Sequence, residues 1–174
     1  TKADDIRDFE IEGMSIGDSL LDHYNKNVLD NIKRHYYPNS KKIVGLYSQV
    51  FNNNLKNYEA IQFSVTPDDY QIEAIGGLTY EFENKKKECY LKMEKIFDEI
   101  QSLFPNSETI KEKERAHAAD ASGKSVGKIY KINLNNGIIR VTCTDWAKEM
   151  DYADSLKISI HTTEHMNWIN SEAY

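Results

Sequence analysis

One stretch, "NKKKECYLKMEKIFDEIQSLFP" from Asn84 to Pro105, carries a sustained helical period and constrains the fold more than any other part of the chain. Cys89, Met93, Ile96, Phe97, Ile100, Leu103 and Phe104 recur every three or four residues, so they share one helix face, and Pro105 ends the run. The opposite face is Lys and Glu, a solvated surface. On both sides of this stretch apolar residues alternate with a period of two. A helix with one apolar stripe, set among half-buried strands, has to bury that stripe on a sheet.

The strands read as follows. Lys42 to Phe51 ends in "NNNLKN", and Tyr58 to Thr66 places Ile61, Phe63 and Val65 on one face. Pro67-Asp68-Asp69 is turn chemistry. Tyr70 to Glu83 alternates Leu78, Tyr80 and Phe82, with Gly76-Gly77 read as a bulge. Val126 to Leu134 and Ile138 to Thr144 flank Asn136-Gly137, a hairpin turn signal. Leu156, Ile158 and Ile160 alternate inward, and Thr163 caps a closing helix containing Trp168. Upstream, Gly13 permits a turn, Ser15 and Asp18 form a capping-box-like start, and two short helices are expected before Pro38. The mixed-charge "ETIKEKERAHAADASGKS" reads as a loop with some helix in it. The expectation is α+β: an antiparallel sheet of about six strands with helices packed on one face, in the order α-βββ-α-βββ-α.

A chain of 174 residues, 40 % hydrophobic and 29 % charged, suits a single domain with a full core; residues 1–8 are expected as a flexible N-terminal segment. Its 11 tyrosines fit a pleated, half-buried surface. Net charge is −6 and the longest basic run is Lys85-Lys86-Lys87, which argues against nucleic acid as a partner. No apolar run approaches the roughly 18 to 20 residues of a membrane span. The first residues carry no signal peptide and no Met, the expectation for a mature or trimmed product.

Several chemistry-like motifs fail on context. Gly123-Lys124-Ser125 looks like the end of a phosphate loop, but Ala118 stands where the first glycine belongs, and a strand rather than a helix follows. "HTTEH", His161 to His165, matches an inverted zinc-peptidase pattern, yet His161 ends a strand and few residues remain for a further ligand. Both histidines therefore read as structural residues on an exposed edge. His117, Asp120 and Ser122 share a loop without a nucleophile elbow. No metal or cofactor is implied.

Cys89 lies on the apolar face of the long helix, and Cys143 shares a strand face with Ile139 and Val141. Packing of those faces favours a disulfide over two buried free thiols, closing a loop of about 50 residues.

Five blocks, "DFEIEGMSIGDSLLDHY", "KKECYLKMEKIFDEIQSLFP", "HAADASGKS", "GIIRVTCTDWAKEMDY" and "MNWINSEAY", together resemble a family of small uncharacterised bacterial proteins with an F-x-I-E-G-M-S-I-G-D-S-L-L motif. The resemblance covers nearly the whole chain and implies export, hence a periplasmic or secreted setting. "GMSIGDSLL" is also similar to the turn-to-helix entry of β-lactamase-inhibitor-like domains and small outer-membrane assembly lipoproteins, which implies protein binding by fold analogy. The functional expectation is a non-enzymatic module that binds a protein or a small ligand. Candidate contact residues are His117, Asp120, Lys124, Asp145 and Trp146. The alternative is a small hydrolase with its site in the 117–125 loop.

Overall fold

A computed structural model describes residues 5–174. Among them are nine strands and three helices: α1 (Lys26–Asp30), β1 (Arg34–His35), β2 (Val44–Tyr47), β3 (Ala60–Val65), β4 (Ile72–Thr79), α2 (Lys86–Leu103), β5 (Glu108–Lys111), β6 (Arg115–Ala116), β7 (Val126–Leu134), β8 (Gly137–Asp145), β9 (Ser155–Thr162) and α3 (Thr163–Ser171). All pairings are antiparallel in one sheet of order β1-β2-β3-β4-β9-β8-β7-β5, with β6 also on β7.

This corrects the α+β expectation of about six strands and helices on one face. The chain is dominated by a single large sheet. The charged segment before β7 supplies two of the unforeseen strands, β5 and β6. Edge strands bond on one side only and tolerate Lys and Glu, so no apolar alternation announces them. The helices also divide between the two faces. Register places Cys143, Leu156, Ile158, Ile160, Ile75 and Phe63 on one face, and α2 covers it with Cys89, Met93, Phe97 and Ile100. His161 belongs to the other face, opposite Ala74 and Ile138, and there α3 packs His165 and Trp168.

The disulfide joins Cys89 of α2 to Cys143 of β8, with α-carbons 6.1 Å apart and both residues buried. Leu103 departs from the expected stripe and is 55 % exposed, while Phe97 packs edge-on to Tyr130 at 5.2 Å. Burying side chains the size of Met93 and Phe97 contributes about 1.5–3 kcal/mol each.

Local expectations are corrected in four places. Gly76 and Gly77 sit in regular register opposite Gln62 and Ile61, and the sheet irregularity lies at Ser64/Val65 instead. Gly137 pairs with Leu134, so the hairpin loop is Asn135-Asn136; a β-carbon on Gly137 would collide with Ile6 and come 2.5 Å from the His161 carbonyl oxygen. Thr162, not Thr163, caps α3 by accepting a bond from the His165 amide at 2.9 Å. Ser15 starts no helix, and its amide donates to Asp18 at 3.0 Å. Of the N-terminal segment, residues 1–4 lie outside the described residues, and Ile6–Asp8 form a 3-10 turn that buries Ile6.

Candidate functional site

Alternation along β8 sends Ile139, Val141 and Cys143 into the core and Arg140, Thr142 and Thr144 onto the α3 face of the sheet. On that face Arg140 has Ser159 on one side and Lys131 on the other, and Gly76 follows Ser159 in the same row. Lys157 stands opposite Thr142 in the next row. Its chain passes over Gly76, where a β-carbon would strike its ε-carbon, and its ammonium donates to the Gln62 side-chain oxygen at 2.9 Å.

Neither cation has a carboxylate partner. Among the described residues no Asp or Glu lies within ion-pair distance of Arg140 or Lys157. Burial and the charge of Arg140 hold the Lys157 ammonium down to about 8. Burial also pushes the Arg140 guanidinium down, with Arg115 adding and Glu112 opposing. The Arg140 Nε is buried with no hydrogen-bond partner. A buried charged donor left in that state is costly.

Arg140 is one wall of a cleft of about 300 Å³, shared with Thr142, Thr144, Gly127, Arg115 and His117. The edge-strand wall is positioned by backbone pairing: Arg115 with Gly127, Ala116 with Val126, and the His117 amide on the Ser125 carbonyl at 2.8 Å. Beyond it the chain closes on itself. Asp120 accepts from the Ser122 amide (2.9 Å), the Ser125 amide (2.8 Å) and the Ser125 hydroxyl (2.6 Å), and Ser125 Oγ accepts from the Ala147 amide at 2.9 Å. These bonds hold the Asp120 carboxyl well below the usual carboxylate range. At the rim the His117 ring lies 4.3 Å from Trp146, which meets Tyr152 at 4.9 Å. Burial, then Arg115, lowers the His117 imidazole, so it is neutral at neutral pH.

The five residues singled out from the sequence do not form one site. His117 lines the cleft and Trp146 backs it. Asp120 is consumed in the turn that carries them. Lys124 is exposed and paired with Glu149 at 2.7 Å. Asp145 faces the α2 side, 3.9 Å from Lys86, with its carboxyl raised by burial and by Asp154. His117 Nδ1 accepts from the Ala119 amide at 3.2 Å rather than meeting a serine or Asp120. Gly123 takes the left-handed backbone of a turn (φ 72°), and strand β7 follows it.

The paired histidines are not on an exposed edge. β9 lies between β4 and β8 near the middle of the sheet, and His165 is 1 % exposed. The strand finds its partners through the whole fold, not through its place near the end of the chain. His161 and His165 bring their Nδ1 atoms to 3.2 Å, and His161 Nε2 bonds Ser159 at 2.9 Å. Burial with Lys157 and Arg140 nearby pushes His165 down to about 4 and His161 well below its ordinary value. The described residues hold no cluster of three metal-ligating side chains.

Arg140, Lys157 and Thr142 escaped the sequence reading because they occupy the outward positions of alternating strands, where solvent is the ordinary expectation, and Arg115 because it lies in the charged edge segment read as a loop. One signal was present: Arg140 between Ile139 and Val141, and Lys157 between Leu156 and Ile158, put long cations in the middle of strongly apolar strands. Other hollows are larger but less suited. One of about 440 Å³ beside Glu12 and Tyr24 is lined by loops, and Glu12 already accepts from the Lys56 and Asn57 amides at 2.9 and 2.6 Å.

No family model, no curated protein and no solved structure matches the chain.

Proposed function

We propose that the chain is an exported, non-enzymatic binding domain and that the cleft beside the Arg115–Ala118 segment is its ligand site. The observation that carries this reading is Arg140, a half-buried guanidinium with no carboxylate partner among the described residues, which lines a hollow sized for a small molecule. A self-closed turn keeps the wall in place without needing a ligand to order it, which lowers the cost of binding. The serines of that turn make no hydrogen bond to an imidazole, and Asp120 is spent on Ser122 and Ser125, so the groups of a hydrolase do not converge there.

The exported setting is supported by the Cys89–Cys143 disulfide, since such bonds persist in oxidising compartments. It also agrees with the family of small exported bacterial proteins that the sequence blocks resemble, to which we assign the chain on those blocks. No helix of the described residues is long and apolar enough to cross a membrane.

Native mass spectrometry of the protein isolated from the cells that make it tests the site. A small-molecule adduct on the wild type, absent from a folded Thr142→Trp variant that fills the cleft, is the expected result. Bare protein in both, or the same adduct on both, contradicts it.

A further inference from the structure

Resting on the cleft being a ligand site, we infer that its ligand is a small dianion, a phosphate group or a dicarboxylate, anchored by Arg140. The chain as a whole is acidic, with 28 Asp and Glu against 22 Lys and Arg. This face of the sheet reverses that balance. Arg115 and Arg140 line the cleft, Lys131 stands beside Arg140 in register, and Glu112 is the acidic neighbour that reaches these three cations. Glu112 is itself engaged, taking Lys131 and, at 3.3 Å, Arg115. At least two positive charges are therefore left without a counter-charge, which a monoanion would only half satisfy.

The donors match oxyanion geometry. A guanidinium presents a planar fork that takes two oxygens of a carboxylate or phosphate at once, and no carboxylate of the described residues pairs with Arg140. Thr142 and Thr144 follow Arg140 on the same face of β8 and line the same cleft, adding hydroxyls that can donate to further oxygens. His117, uncharged at neutral pH, adds a neutral wall beside Trp146. A cation is repelled here. A hollow of about 300 Å³ is sized for a small molecule.

Bound anion also resolves the energetic oddity of the fold. Half-buried Arg140 without a counter-charge is unfavourable, and a dianion supplies the missing charge at the moment of binding. That is how a site reads charge: the protein is left less satisfied without its ligand.

Isothermal titration of the disulfide-bonded protein at neutral pH and low salt tests this with four probes: inorganic phosphate, succinate, acetate and glycerol. Saturable binding of phosphate or succinate, about tenfold or more tighter than acetate, with no heat from glycerol, is expected. The tighter of the two dianions identifies which source of the charge the cleft accepts. Arg140→Gln should weaken that binding about tenfold or more, and the exposed Arg115→Gln, which does not threaten the core, should weaken it less but measurably. Acetate binding as tightly as the dianions, or both variants binding as the wild type does, overturns the inference. If no dianion binds while Thr142→Trp still removes the native adduct, the charge assignment fails and the site stands. If Thr142→Trp changes nothing, the site itself has failed.

Discussion

The side chain of Lys157 lies across Gly76 and ends on Gln62, 2.9 Å from its side-chain oxygen. The glycine is the reason a lysine can be laid flat on the middle of the sheet. A β-carbon at position 76 meets only the flexible end of that lysine. Gly76→Ala should therefore leave the fold intact while it displaces the ammonium. The Lys157 amine, at about 8 in the wild type, should move toward its ordinary 10.5. Between those values the unfolded chain holds a proton that the folded one has released, so wild-type stability rises with pH across the window. The variant should flatten that rise, as read by urea melts and by the lysine ammonium resonances. Gly77 makes the contrast: a β-carbon there meets the Tyr58 ring at 2.5–2.6 Å, and a rigid ring cannot swing aside. Gly77→Ala should cost about 1–3 kcal/mol.

The disulfide ties α2 to the sheet across 54 residues of chain. Reduction under otherwise native conditions should lower unfolding free energy by about 4 kcal/mol if the chain-entropy account applies. Guanidinium melts with and without reductant measure it. A loss much below 1 kcal/mol would show that core packing alone holds the helix on β8.

Asp120 organises the turn behind the cleft wall. Asp120 accepts with both carboxylate oxygens, so Asp120→Asn sets an NH2 group against a donor, loses at least one of the three bonds as well as the charge, and should destabilise the turn. Faster amide hydrogen exchange at Ser122 and Ser125 than in β7 is the local readout.

His165 supplies an acid response. It is held down to about 4 in the folded state from an ordinary 6.5, so in that window the unfolded chain binds the proton that the folded chain refuses. Stability should therefore fall as pH drops from 6.5 to 4, with His165 contributing about 2–3 kcal/mol of the loss. His165→Phe should lose that much less over the same range, measured by paired urea melts at the two ends. Equal losses in both proteins would place the acid response elsewhere.

Legibility followed locality. The long helix announced itself because one face of consecutive residues meets one sheet, and the arms of the β7–β8 hairpin because their alternation is strict. β5 and β6 were hidden because a charged edge strand and a charged loop have the same composition. The histidines were misplaced because β9 pairs with β4 and β8, far from it in sequence, and no local pattern encodes that insertion. Arg140 and Lys157 were hidden for a related reason. Their outward positions are ordinary until α3 folds onto that face and the Arg115–Ala118 segment joins its edge as a cleft wall. His117 and Trp146 were found through the chemistry of their loop, but Asp145, next to Trp146 in sequence, points to the opposite side of the sheet.

The most direct test follows the Arg140 Nε–H itself. In ¹⁵N-labelled protein, titration with inorganic phosphate or succinate should shift this single buried resonance saturably, as its guanidinium gains a counter-charge. An Nε–H signal that stays unmoved throughout, while resonances elsewhere respond or none do, would contradict the placement of an anion at Arg140.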